Sequence, residues 1–282
     1  MKRNILLTTF LLTTATLFAQ LDLPRLSPKS TITQNFGYTT VTVEYHRPNV
    51  KERKIWGELV PFEKVYRLGA NDAATIEFST DVIINGNKIA AGKYALFAIP
   101  TPKEWTVIFN KANKQWGAYS YDEKQDLLRF QVKAEESNFT ESLSFWFSDL
   151  KINSTQLNFC WEKLGFSFRI EADVMNMAHE KIKEALSKIK PDDWRTYAGS
   201  ANFAVENSWF LDEALTWADK SIEAGGTFYA YFVKAKVLFK KGNAKETIEW
   251  ISKAKEKGKD DKNYPNYAAE IDRLEAAAKT KL

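Results

Sequence analysis

Hydrophobic and polar residues alternate in short runs from about residue 40 to residue 170, after which apolar positions recur every three or four residues to the C terminus. The first pattern is that of half-buried strands, the second that of amphipathic helices. Thr40–Tyr45 and Ala74–Phe78 alternate β-branched or aromatic side chains with polar ones. Val82-Ile83-Ile84 meets Lys88-Ile89 across Asn85-Gly86-Asn87, and Asn-Gly favours a tight hairpin because both residues tolerate positive φ. Gly92–Ile99, stopped by Pro100, and Trp105–Phe109 predict a second hairpin. Leu127–Val132, Ser142–Phe147, Thr155–Trp161 and Gly165–Ile170 extend the series, with no helical period between them. Such a series predicts an antiparallel β-sandwich, with barrel-like closure as the variant. Ahead of it, Leu21–Ser30 has two prolines and no period, which predicts an extended lead-in strapped along the domain.

The period changes after Glu171. Val174, Met177, Ala178, Ile182, Ala185, Leu186 and Ile189 predict a helix over 173–189, ended by Pro191. Beyond it, residues 213–226 and 246–259 align with Trp217 on Trp250 and Gly225 on Gly258, an offset of 33 residues. That is close to the period of a helical-hairpin repeat, and the small and large positions fit tetratricopeptide repeats in type. Two such repeats, capped by a helix over Tyr267–Lys279, would suffice for stacking. The expected organisation is therefore a signal peptide over 1–19, a β-sandwich domain over 20–172 and an all-α, tetratricopeptide-like domain over 173–282.

The signal peptide rests on Lys2 and Arg3 as a short positive region, Ile5–Phe18 as an apolar stretch and Ala19 as a small residue at the cut. No other run approaches the ~18 apolar residues of a spanning helix, so the mature protein is expected to be exported, periplasmic or secreted, without a membrane span. Charge narrows the partners. Residues 20–172 carry 19 bases against 18 acids and residues 173–282 also 19 against 18, so neither part has the basic stripe that phosphate-backbone binding needs, and nucleic acid is not expected. Cys160 is the only cysteine, and only His46 and His179 are available as imidazoles. That leaves no disulfide and no multi-histidine or thiolate metal site to expect, and no cofactor.

The chemistry-bearing stretch is 41–78. Pro48 cannot donate in a ladder, so the strand from Thr40 should end there and project Arg47 at a rim. Arg47, Arg53 and Arg67 accompany Trp56, Asn71 follows Gly69-Ala70 where a tight turn is expected, and Trp116 stands downstream. Guanidinium forks beside aromatic faces suit a carboxylate or a sugar, and these six residues are the candidate ligand site. The competing reading pairs the arginines with Glu44, Glu52, Glu58 and Asp72, locking a long loop onto the sheet. Catalytic templates are weaker. His46 has no accompanying nucleophile motif, and a carboxylate pair of Glu44 with Asp72 or Glu77 has no support from spacing alone. No catalytic residue is assigned.

The segments LSPKSTITQNFG (26–37), VEYHRPNVKERKIWGELVPFEKVYRLGANDAATIEF from Val43, INGNKIAAGKYALFAIP (84–100) and EWTVIFNKANKQWGAY (104–119) resemble the exported bacterial proteins grouped as domain of unknown function 2911. The motif Y-x-R-P, R-x-I-W-G-x-L-V-P, V-[WY]-R-x-G-A-N carries the resemblance, which covers about residues 21–172 and implies an exported β domain of the Bacteroidetes type. It implies no activity. The expected function is that of a non-enzymatic binding protein of the cell envelope, the β domain holding a small polar or glycan-like ligand and the helical tail docking a protein. A cell-envelope hydrolase using Glu44 or Asp72, and a pure scaffold, are the alternatives.

Overall fold

A computed structural model describes residues 23–282, and the export signal expected over 1–19 lies outside the described residues. Among the described residues, ten strands precede six α-helices. The strands are β1 (Lys29–Phe36), β2 (Thr39–His46), β3 (Ala74–Phe78), β4 (Val82–Ile84), β5 (Asn87–Ile89), β6 (Gly92–Pro100), β7 (Glu104–Asn110), β8 (Asp126–Lys133), β9 (Glu135–Lys151) and β10 (Ser154–Glu171). They form two antiparallel sheets, of order β1-β2-β3-β6-β7-β8 and β5-β4-β10-β9. Both sheets stay open at their edges, so the barrel-like variant is not adopted.

Local pattern explains most of the strands. The β4–β5 hairpin turns on Asn85 and Gly86, with φ of +48° and +77° and Ile84 facing Asn87, as an Asn-Gly two-residue turn requires. Three elements depart from the expectation. β1 is absent from the expected series, whose lead-in ends at Ser30; rich in Ser, Thr, Gln and Asn, it is an edge strand whose only fully buried side chain is Phe36. The runs 155–161 and 165–170 are one strand, β10, with register shifts around Glu162, which has φ of +56°. An irregularity of this kind bends a strand without ending it. β9 extends well beyond Ser142–Phe147 at both ends, and its N-terminal part is exposed, so no apolar face announces it.

The core between the sheets is aromatic. Trp105, Phe109, Phe159, Trp161 and Phe166 are buried, with ring centroids 5.0 Å apart for Phe159 and Phe166 and 5.3 Å for Trp105 and Phe166. Large rings in edge and offset contacts bring large apolar burial to this core. Cys160 is buried beside Ser137 Oγ at 2.8 Å.

The helices are α1 (Val174–Leu186), α2 (Trp194–Asn207), α3 (Leu211–Glu223), α4 (Phe228–Lys240), α5 (Ala244–Gly258) and α6 (Pro265–Lys279). Asp173 and Asp193 cap α1 and α2 by accepting from Asn176 N and Thr196 N. Val174 belongs to the β core and crosses above the β1–β2 turn: a Cβ on Gly37, whose φ is +51°, would lie 2.5 Å from the Val174 side chain. Only glycine meets both demands there. The 33-residue offset has a structural counterpart, because Ala214, Ala218 and Ser221 of α3 and Thr247, Ile251 and Ala254 of α5 are all fully buried. Among the described residues, no helix is long and apolar enough to cross a membrane.

Candidate functional site

Between β2 and β3 the chain runs from Arg47 to Ala73 without a strand, its ladder contacts being isolated bridges of Asn49 to Ser142, Trp56 to Val60, Tyr66 to Ala98 and Asp72 to Trp116. Lys51, Glu52, Glu63, Leu68 and Asn71 all have φ between +49° and +61°. Non-glycine residues adopt that region at a cost of about 1–2 kcal/mol each, and such strain gathers where a loop is shaped for a purpose. The loop and the lead-in segment Leu23–Pro28 together bound two cavities, one on each side of the lead-in.

The wider is a cleft of about 1010 Å³ at the ends of β1, β2 and β3, walled by Arg25, Lys29, Glu44, His46, Asp72, Thr75, Lys93, Lys114, Gln115 and Trp116. Register explains the convergence. Lys29 faces His46 across the β1–β2 ladder, Glu44 faces Thr75 across β2–β3, and Asp72 bridges Trp116. Glu44 pairs with Lys29 at 2.8 Å and with Lys93, and these hydrogen bonds hold its carboxyl below the usual carboxylate range. His46 is only 7% exposed and its ring has no hydrogen-bond partner among the described residues. Burial pushes its pKa down, the Asp72 charge opposes that shift, and Arg25 and Lys29 add to it. Gln115, 8% exposed, spends its amide N–H on Ala112 O and leaves Oε1 buried without a partner. Above them Trp116 is 56% exposed, with the Arg25 guanidinium 5.7 Å from its ring centroid.

The narrower cavity, about 460 Å³, lies under the loop on the other side, among Lys51, Arg53, Lys64 and Arg67 with Leu59, Val60, Tyr66 and Trp161. Among the described residues, no Asp or Glu lines it.

The six residues that the sequence groups into one site are divided. Arg47 is not at an open rim: the chain after β2 crosses to the other sheet, where Leu143 N donates to Pro48 O and Val50 N to Glu141 O. Arg47 Nε donates to Leu143 O at 3.0 Å and Nη2 to Ser144 Oγ at 2.7 Å, which ties β2 to β9. Trp56 offers no stacking face, because it is core, its Nε1 donating to Trp161 O at 3.1 Å and its ring 4.7 Å from that of Trp105. Asn71 lines neither cavity; its Nδ2 donates to Ser27 O at 3.3 Å and fastens the lead-in. Arg53 and Arg67 line the narrow pocket and Trp116 the wide cleft. Convergence of the three guanidinium groups is thus replaced by a pair and a structural tie. The pairing alternative is also not adopted, since none of the three arginines makes an ion pair among the described residues. Arg53 instead donates to Val50 O and Asn49 O.

The carboxylate-pair reading restricts the role of Glu44. An anion held between two ammonium groups could serve only as the ionised member of such a pair, and its proton donor would have to be the other carboxyl. Sequence reasoning missed Arg25, Lys29, Gln115, Lys51 and Lys64 as wall residues. Only the density of bases between Arg47 and Arg67 hinted at the last two.

Comparison with known proteins places the β domain in a family. A family model described as a protein of unknown function, DUF2911, matches residues 27–170, half of the chain, and the protein belongs to that family. No curated protein and no solved structure matches it.

Proposed function

We propose that this member of the DUF2911 family is an exported, non-enzymatic binding protein of the cell envelope whose β domain holds a small polar, sugar-like ligand in the wider cleft. The observation that carries the reading is the meeting of an exposed indole with polar groups that lack protein partners. Trp116 overhangs a cleft whose wall includes the unpaired His46 ring and the orphaned Gln115 carbonyl. Sugars present C–H faces to aromatic rings and hydroxyls to such groups, and a site of this kind is concave with a few convergent polar atoms. Glu44, fixed between two lysines, adds an acceptor that needs no reorganisation on binding.

Calorimetric titration with neutral and acidic mono- and oligosaccharides tests it. At least one should bind, and Trp116→Ala should weaken it about tenfold, the loss of one stacked face. If no sugar binds, or binding ignores both Trp116→Ala and His46→Gln, the reading is wrong. Export is tested separately by the mass of the mature chain, which should begin near Ala19.

For the helices we propose tetratricopeptide-like stacking that docks a protein. Its support is the equivalence of Trp217 with Trp250 and of the buried small positions of α3 and α5. A structure of the domain in which α2–α3 and α4–α5 do not superpose would remove that support.

A further inference from the structure

We infer that the narrower pocket is a second, independent binding site that takes a small organic carboxylate with an apolar body. Three observations meet there. The first is charge: Lys51, Arg53, Lys64 and Arg67 line one cavity with no Asp or Glu in its lining among the described residues, and although Glu141 accepts from the backbone N–H of Lys51, none of the four ammonium or guanidinium groups makes an ion pair among those residues. Cations brought together without counter-charge repel one another, and the arrangement is relieved when an anion enters.

The second is hydrogen-bonding capacity. Arg67 Nε and Trp161 Nε1, the latter on a residue only 2% exposed, are buried and have no partner among the described residues. Buried N–H groups are almost always paired, so two orphans on two residues lining one pocket are a specific signal. A carboxylate supplies two acceptor oxygens and matches the planar fork of a guanidinium.

The third is the apolar remainder. Leu59 and Val60 line the same pocket, as do Tyr66 and Trp161, whose rings stack with centroids 6.4 Å apart at 15°. A cavity of about 460 Å³ with such a floor exceeds the needs of an inorganic oxyanion and suits a ligand with a ring or short chain behind its charge. The loop that closes it carries left-handed residues at Lys51, Glu52, Glu63 and Leu68, a backbone shape held for a purpose other than stability.

Chemical-shift or thermal-shift titration of the full chain with benzoate, phenylacetate and hexanoate tests the assignment, with benzamide as the neutral isostere and sulfate and phosphate as compact anions. The expected result is saturable binding of at least one organic acid, at least tenfold weaker binding of the amide, and about tenfold weakening by Arg67→Met. Lys64→Gln, at an exposed position that leaves the fold intact, should weaken the same ligand by a smaller factor, and Trp116→Ala should leave it unchanged. Equal binding of acid and amide, binding of sulfate or phosphate alone, no organic acid bound, or acid binding insensitive to both Arg67→Met and Lys64→Gln would each overturn it. Because the sugar cleft is read through Trp116 and His46, either site can fail without the other.

Discussion

The two cavities share the lead-in segment as a wall, yet they solve the problem of charge in opposite ways. In the wide cleft Glu44 lies between Lys29 and Lys93, and Asp72 stands in the same wall, so opposite charges meet inside the protein. In the narrow pocket Lys51, Arg53, Lys64 and Arg67 line one cavity, with no Asp or Glu in its lining among the described residues. Arg67 and Asp72 are five residues apart in sequence and line different cavities, because the chain between them turns through Leu68 and Asn71 in left-handed conformations. Closeness along the chain therefore says little about which solute a side chain would meet. A wall in which both signs are present suits a polar ligand with hydroxyls to share between them, and a one-signed wall suits an anion.

The largest way to break the comparison is to remove what both cavities rest on. Trp56→Ala should cost about 3–5 kcal/mol, since its ring fills the core between Trp105 and Trp161 and its N–H would no longer reach Trp161 O. Urea denaturation would read that loss, and both binding activities should go with it. Arg47→Ala comes next, at about 1.5–3 kcal/mol for charge-assisted bonds lost at Leu143 O and Ser144 Oγ. A null effect on stability together with lost ligand binding would return Arg47 to the binding surface.

Acid should separate the cavities. His46 has a folded pKa below its ordinary value, so below about pH 6.5 the unfolded chain binds more protons than the folded one. Its contribution is fully present above that pH and is lost as pH falls through the folded value; His46→Gln should flatten the decline of melting temperature over this range. Glu44, also depressed, adds a loss at lower pH, beginning near its unfolded value of 4.5, which Lys93→Met should reduce. The smallest expected change is the stability of Lys64→Gln, within about 0.5 kcal/mol of wild type, because the exposed Lys64 side chain makes no ion pair or hydrogen bond among the described residues. The narrow pocket is distinguished from a stabilising cluster by that contrast: affinity falls while stability does not.

The parts of the fold that were legible share a property: their signal is confined to neighbours along the chain. Ala74–Phe78 was readable to the residue, and the β4–β5 turn from Asn85-Gly86 alone. The edge strand β1 was not, since an edge with one buried residue needs little apolar alternation. Of the candidate site, residue type was readable and company was not. Arg53, Arg67 and Trp116 do line cavities, whereas nothing near Arg47 in sequence reveals that its guanidinium meets Leu143 and Ser144.

What the chain by itself determined is a series of short strands followed by helices, the switch of period after Glu171 and the membership that residues 27–170 express. Those follow from side-chain alternation, turn chemistry and helical periodicity, each a short-range consequence of backbone geometry. Tertiary structure alone decided that Trp56 is core, that Arg47 is a tie between sheets, and that four cations share a pocket. Those outcomes depend on a crossing in which Tyr45 Oη accepts from Phe145 N at 3.1 Å, one hundred residues further along. Contacts at that separation are selected by the packing of two whole sheets, a property no local window contains.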